Sequence, residues 1–445
     1  INMASGTMAT VANIAITAVS YPLYLHFLGY EKYGVWLALA VVLTFAQLGD
    51  LGINQAVTKL VAEEYGRRKI EVIQFYITTA LAIMCLSGII VLAAIMIFKI
   101  QIIALLKLDS VNAELAVRLL PYIAILSIYS FVVNVFNAIL SGLGRMDLSN
   151  YIQTVGKVIA VAVAGLLLYF GKGIASMVIS ISVSYLFIQI VSVIYVRKMI
   201  PIRILHISNL NVQCGYCLLS FGGTVMGGSV LSMFLSPFNK LIIARYAGVS
   251  SVPIYEIAYN GSRQIRALFE SPLKALIPEI SRIGFDMTLQ AKQKISQINT
   301  RAMKLILFFG VPTYSLIAVF TPFLLKIWFG TQLNESLPVV FRIMLIGSFF
   351  SLICVPAYYT LMGLGKVKYC FVSYLILCLT NVLIISGAII LCDTLNVPLV
   401  VSVVAIAMGL SAIYLIAQYS TIVAGITSKR VLIENGKTMH DKNSI

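Results

Sequence analysis

The sequence predicts an all-α polytopic membrane protein of about twelve transmembrane helices, in two parallel six-helix bundles around a central cavity. Three observations predict it: the composition, a succession of apolar runs of membrane-crossing length, and an internal repeat at a fixed offset. Of the 445 residues, 60% are hydrophobic and 11% are charged, with a mean hydropathy of +0.98. Soluble domains carry roughly 25% charged residues, so this chain has no way to fold in water without exposing large apolar areas.

A span needs about 20 apolar residues. Such runs fall at 6–28, 33–56, 73–98, 115–140, 151–170 and 174–196, and again at 217–244, 252–280, 303–325, 338–362, 369–391 and 398–422. The dividers are short and polar, as in Gly171-Lys172-Gly173 and the stretch from Cys392 to Asn396. The first run is too long for the core of a signal peptide and lacks a small-residue cleavage pattern, so it reads as a span. The expected organisation is an N-terminal bundle over 1–200, a cytoplasmic linker over 201–212, a C-terminal bundle over 213–425 and a cytoplasmic tail over 426–445.

The repeat supports that division. Ser141-Gly-Leu-Gly-Arg145 recurs as Met362-Gly-Leu-Gly-Lys366, Leu28-Gly-Tyr30 as Ala247-Gly-Val249, and Asp50 two residues before Gly52 as Glu270 two residues before Pro272. The three offsets agree to within a residue or two, although Gly-Leu-Gly by itself is a common tight turn. Six runs separate equivalent points, so both halves enter the membrane the same way round.

The net charge of +16 invites a nucleic-acid reading, but its placement argues for topology instead. Loops after even-numbered runs, with the C-terminus, hold nineteen Lys and Arg; the other side holds five, namely Lys32, Lys99, Lys107, Lys172 and Lys326. By the positive-inside rule the first side is cytoplasmic and both termini lie there, and the surplus cations anchor to anionic membrane lipids. No nucleic-acid partner is expected.

A charge at the centre of a span is costly by at least about 2.5 kcal/mol and marks a pathway or a partner. The eighth run is the outlier. At roughly 100° per residue, Arg263, Arg266, Glu270 and Lys274 fall within about 80° of one another, with Glu256 and Tyr259 on the same stripe. One reading is a binding surface for an anion, since guanidinium forks suit phosphate. The other is an ion-pair ladder that only fixes helix packing. Two acids against three cations favour the first.

Other runs add candidates to the same wall. Gln47, Asp50 and Asn54 share a helix face in the second run, where Gly49 and Gly52 loosen the helix. Asp50 suits either a coupling proton or cation, or a pairing with the arginines of the eighth run. The seventh run carries Asn239 and Lys240, with Arg245 near its end. Lys157 in the fifth lies beside Gln153, and either lines a cavity or snorkels to the cytoplasmic surface. Asn134 and Asn137 read as interhelical hydrogen-bond formers, and Gly222-Gly223 with Gly227-Gly228 as close helix packing. Cys214-x-x-Cys217 has no second Cys or His pair and reads as structural. Asn334-Glu-Ser336 matches a glycosylation acceptor. With no phosphate loop, no metal-ligand cluster and His26, His206 and His440 scattered, neither catalysis nor a metal or cofactor is expected beyond a coupling ion, H+ or Na+.

At these residues the chain resembles a known family. The opening "TMATVANIAITAVSYPLYLHFLGYEKYGVWLALAVVLTFAQLGDLGINQAVTKLVAE", the turn "SGLGRMDLSNYI" and the run "SPFNKLIIARYAGVSSVPIYEIAYN" are similar to the O-antigen (polysaccharide) flippases of the multidrug/oligosaccharidyl-lipid/polysaccharide superfamily, the MATE-like transporters. The resemblance extends over nearly the whole chain and rests on diffuse hydrophobic motifs. It implies alternating access and movement of an undecaprenyl-pyrophosphate-linked oligosaccharide, an O-antigen or capsule repeat unit, across the bacterial inner membrane. It further implies lipopolysaccharide or capsule assembly as the setting, with a polysaccharide polymerase and assembly proteins as partners. The positions matching its basic cavity are Arg263, Arg266 and Lys274. Beside them our reading sets Tyr259, Lys240 and Lys157 for the substrate, and Asp50, Glu270, Glu256, Asn54 and Gln47 for coupling or gating. Relatives often carry an acid before the basic residue late in the seventh run; Asn239 stands there here, ahead of Lys240. Two other classes remain: a multidrug or cation antiporter of the same superfamily, which calls for a net acidic cavity, and a membrane-embedded glycan polymerase, which calls for a large outer loop. The longest outer loops are about 15 residues, far short of an inserted catalytic domain.

Overall fold

The computed structural model of the chain describes residues 2–50, 52–200, 210–273, 289–391 and 395–440, with Leu276, Ile280 and Ile283 between them. Among these residues every regular element is helical. The helices are α1 (Asn2–Ala46), α2 (Ile53–Gly66), α3 (Ile70–Ile97), α4 (Lys99–Leu106), α5 (Ser110–Gly142), α6 (Met146–Tyr169), α7 (Ala175–Met199) and α8 (Val212–Tyr246). They continue as α9 (Val252–Leu273), α10 (Leu289–Leu305), α11 (Val311–Phe329), α12 (Leu337–Ile353), α13 (Val355–Gly363), α14 (Val367–Leu391) and α15 (Val397–His440).

Nine stretches among the described residues are long and apolar enough to cross a membrane. One of them, Met8–Thr44, holds the first two expected runs and is broken at Gly29, whose φ of 68° and ψ of 176° are open to glycine. α8 runs unbroken as helix across residues 217–244, and its described apolar stretch is Val212–Gly222; α9 is interrupted by charge. Bare apolar side chains such as Ile89, Ile90, Leu383 and Ile390, more than half exposed, mark surfaces that only lipid can cover.

The chain divides into two compact units, Ile1–Glu256 with Trp328–Leu333, and Ile257–Ile327 with Asn334–Ile445. In the first, α5 is the buried helix and packs against α1, α2, α3 and α7. Ile53, Val57 and Val61 of α2 recur at helical spacing and meet Ile73, Ile77 and Met84 of α3 and Phe131, Val135 and Ile139 of α5. Asp109 caps α5 through Asn112, and Asn112's Nδ2 donates to its carboxylate at 2.6 Å, which holds that carboxyl below its ordinary value. In the second unit α12 and α14 pack on α15, closely enough at Gly347 that a Cβ there would lie 2.7 Å from the Cα of Ala405. The polar α10, with Lys292, Lys294, Arg301 and Lys304, runs through a π-helical turn (Ile306–Gly310) straight into α11.

The second run does not continue as helix to residue 56: α1 ends at Ala46, a 3-10 turn follows over Gln47–Asp50, and α2 begins after Gly52. Gly52 has φ 71°, and a Cβ on it would fall 2.2 Å from the carbonyl oxygen of Gly222 in α8. Only glycine fits both demands, and the helix breaks there. Gln47, Asp50 and Asn54 therefore do not share a helix face.

Two prolines inside helices leave carbonyls that side chains from other elements satisfy. Pro22 has no N–H for the carbonyl of Ala18, and the indole Nε1 of Trp328 donates to that oxygen at 2.6 Å. Pro322 leaves the carbonyl of Ala318 in the same position, and Arg342 of α12 donates to it through Nε at 2.9 Å and to Val319 through Nη2 at 3.4 Å. Buried in protein or lipid, such a carbonyl has no water to bond, so the donor removes a desolvation cost.

Candidate functional site

α8 and α9 together carry Lys240, Arg245, Glu256, Arg263, Arg266 and Glu270. These helices form a hairpin through Gly248, with φ 85°, and a 3-10 turn over Val249–Ser251. Lys240 and Glu256 stand at equal sequence distance from Gly248, so the hairpin brings them face to face. In the first unit Lys240 Nζ lies 2.8 Å from Glu256 Oε2, with side chains 13% and 11% exposed. That Oε2 accepts no well-angled hydrogen bond, so the contact is charge against charge. Beside it the buried Asn239 donates to the hydroxyl of Tyr255 at 3.2 Å. Lys240 is thus neutralised where it stands.

The second unit holds the other pair. Arg266 donates through Nε to Glu270 Oε2 at 3.0 Å, its Nη2 lies 3.0 Å from the same oxygen, and its Nη1 donates to Ser351 of α12. Glu270's other oxygen accepts from the Tyr359 hydroxyl of α13 at 2.8 Å. Ser262, one turn before Arg266, accepts through its carbonyl from Ser348, which shares a hydrogen bond with Tyr314. The Arg266 and Glu270 side chains are about a quarter exposed, so this pair is reachable where the first is nearly sealed.

Arg263 differs from both. It is exposed, and among the described residues no carboxylate lies within ion-pair distance of it. The stripe on α9 is thus part ladder and part free cation: Arg266 and Glu270 pair with each other, Glu256 pairs with Lys240 of α8, and Arg263 has no carboxylate among the described residues. Tyr259 lies on the same helix, half-buried, its carbonyl accepting from Ser262. Lys274 lies outside the described residues.

The remaining candidates are not gathered at α9. Asp50 sits in the 3-10 turn and accepts from the backbone N–H of Asn54 at 3.3 Å; among the described residues it forms no ion pair. Gln47 lies in the same turn, and its side chain is outside the described residues. Lys157, on α6, donates to Asn13 of α1 at 2.9 Å and is exposed. Asn137 meets Ser192 of α7 at 3.4 Å, an interhelical contact as expected. Cys214 and Cys217 are free, and no group of three potential metal ligands occurs among the described residues.

Residue patterns did not disclose Ser351, Tyr359 or Asn13, because an uncharged polar residue in an apolar run carries no signal of its own. Arg342 did carry one, being an arginine within a span by the same rule that singled out α9.

Residues 2–284 match the family described as polysaccharide biosynthesis protein. A Shigella flexneri protein to which O-antigen transport is ascribed is 22% identical over 349 residues, which is 77% of this chain and 79% of that one. Among solved structures, the lipid II flippase MurJ in an inward closed conformation matches with a TM-score of 0.74 at 14% identity, covering 93% of this chain and 88% of MurJ. An inward-facing multidrug resistance MATE family transporter of the MOP superfamily matches with a TM-score of 0.71 at 14% identity, over 94% of this chain and 96% of the other. A MOP superfamily transporter from Pyrococcus furiosus, in a structure whose title notes a reversed polarity of its binding pocket, gives 0.62 at 14% identity, over 96% of each. These structures share the fold.

Proposed function

The chain belongs to the polysaccharide biosynthesis protein family, and from that premise we propose that it is a flippase for an undecaprenyl-pyrophosphate-linked oligosaccharide, an O-antigen or capsule repeat unit. It carries this lipid from the cytoplasmic to the periplasmic leaflet of the bacterial inner membrane by alternating access, and does no covalent chemistry on it. The relative with an ascribed O-antigen transport and the shared fold with a lipid II flippase support the reading.

The observation that carries it is Arg263. Lys240 and Arg266 are each matched by a carboxylate, whereas Arg263 is exposed and has none among the described residues. An exposed guanidinium on a helix this charged suits a diphosphate, whose oxygens take the fork geometry in a bidentate way. A cation exporter has no use for it. The polyprenyl tail stays in lipid while the headgroup crosses. Coupling falls to H+, Na+ or the membrane potential, and we assign the ion to Asp50, a carboxylate in a turn with no cation paired to it among the described residues.

The test is complementation of a strain lacking the gene. Arg263→Ala is expected to abolish surface polysaccharide while the protein reaches the membrane in normal amount by immunoblot. Normal polysaccharide at that level of protein would overturn the assignment.

A further inference from the structure

Arg266 is a guanidinium with its anion already in place. Two of its nitrogens converge on one carboxylate oxygen of Glu270, and its third meets Ser351. Glu270's remaining oxygen is held by Tyr359. Two nitrogens of Arg266, on the same helix, and the Tyr359 hydroxyl of α13 thus fix a carboxylate where a phosphate oxygen would otherwise bind. Arg263 lies one turn earlier on α9, about 60° around the helix and about 4.5 Å along it. An anion drawn to Arg263 therefore arrives beside Arg266 and meets Glu270 there.

We propose that Glu270 is a resident counter-anion that competes with the diphosphate of the substrate for Arg266. This rests on the flippase reading and adds a regulation to its site. With the site empty, Glu270 neutralises Arg266, so that a desolvated cation is never left alone. With a diphosphate at Arg263, one phosphate displaces Glu270 from Arg266, while Tyr359 keeps its hold on the displaced carboxylate. The returning carboxylate then helps to expel the headgroup, which a transporter needs as much as capture. The contrast with Lys240–Glu256 supports the assignment: that pair is nearly sealed, whereas Arg266–Glu270 is open to a ligand.

The test uses the purified full chain in nanodiscs, with farnesyl diphosphate as a short polyprenyl diphosphate and inorganic diphosphate as the tail-free probe. Glu270→Gln is expected to tighten farnesyl diphosphate about tenfold, the scale of a competing close charge pair. Inorganic diphosphate should gain by a similar factor if the headgroup alone is read, and not at all if the tail is required to reach the site. In an Arg266→Gln background the same substitution should change affinity less than twofold. Glu270→Asp, which keeps the charge and withdraws it by one methylene, gives the same direction should the glutamine variant fold poorly. Unchanged or weaker binding by well-folded Glu270 variants, with the wild type binding normally, overturns the competitor and leaves the flippase reading standing. Failure of the wild type and every variant to bind farnesyl diphosphate overturns both.

Discussion

At Gly52 the backbone φ is 71°, and the carbonyl oxygen of Gly222 stands 2.2 Å from where a Cβ would be. A left-handed alanine costs about 1–2 kcal/mol, and forcing a methyl into a packed contact adds about 1–3 kcal/mol. Gly52→Ala should therefore lower the temperature at which the detergent-solubilised protein loses its monodisperse peak, whereas Gly66→Ala, with nothing within 4 Å, should leave it unchanged or raise it. Equal behaviour of the two variants would show that the helix break does not depend on Gly52. The same position shows where reading the residues alone stops. Gly49 and Gly52 were visible as weak points, but the approach of Gly222 comes from a helix far along the chain, and without it Gln47, Asp50 and Asn54 read as one face. On α9 the outcome is mixed. The spacing identified Arg266 and Glu270 as neighbours, and they pair; that Ser351 and Tyr359 hold this pair depended on where two other helices come to lie, which no local pattern contains.

At the scale of the element, the prolines inside α1 and α11 obey one rule. A proline frees the carbonyl four residues earlier, and a donor from elsewhere takes it: Trp328 for Ala18, Arg342 for Ala318. The donors can be tested against the prolines. Trp328→Phe keeps the ring and removes the N–H, and should destabilise the protein by about 1 kcal/mol, the scale of one hydrogen bond away from water. In a Pro22→Ala background the helix supplies its own N–H, so the same substitution should be almost silent in thermal unfolding. Strict additivity of the two substitutions would mean that the indole serves some other contact. The helices themselves were legible in the sequence because apolar runs and polar dividers are local. The continuity of α10 through the π-turn into α11 was not, since the polar surface of α10 reads as loop when only apolar length is followed.

At the scale of the whole molecule, two independent observations bear on which side of the membrane each turn lies. The first is duplication. Gly144 and Gly365 have φ of 81° and 70°, and around them the same three backbone bonds recur: Leu143 to Ile139, Gly144 to Ser141 and Arg145 to Leu140, then Leu364 to Thr360, Gly365 to Met362 and Lys366 to Leu361. Both are helix ends closed in the same left-handed way, and six apolar runs of the sequence separate them, so if each run crosses once both turns are expected on one side. The second is charge. Arg145, Lys366 and Lys368 flank these turns, while Lys172 stands alone in its own, and by the positive-inside rule nineteen loop cations against five predict that the first side is cytoplasmic. Alkaline phosphatase fused after Gly144, after Gly365 or at the C-terminus should therefore be inactive, and fused after Lys172 it should be active, with green fluorescence showing the reverse pattern. Activity at only one of the two glycine turns would mean an odd number of crossings between them and would break the duplicated arrangement, whatever the charges say. Activity at both, with none after Lys172, would keep the duplication and invert the protein, and a substrate made in the cytoplasm would then meet Arg263 only from the wrong end of its path.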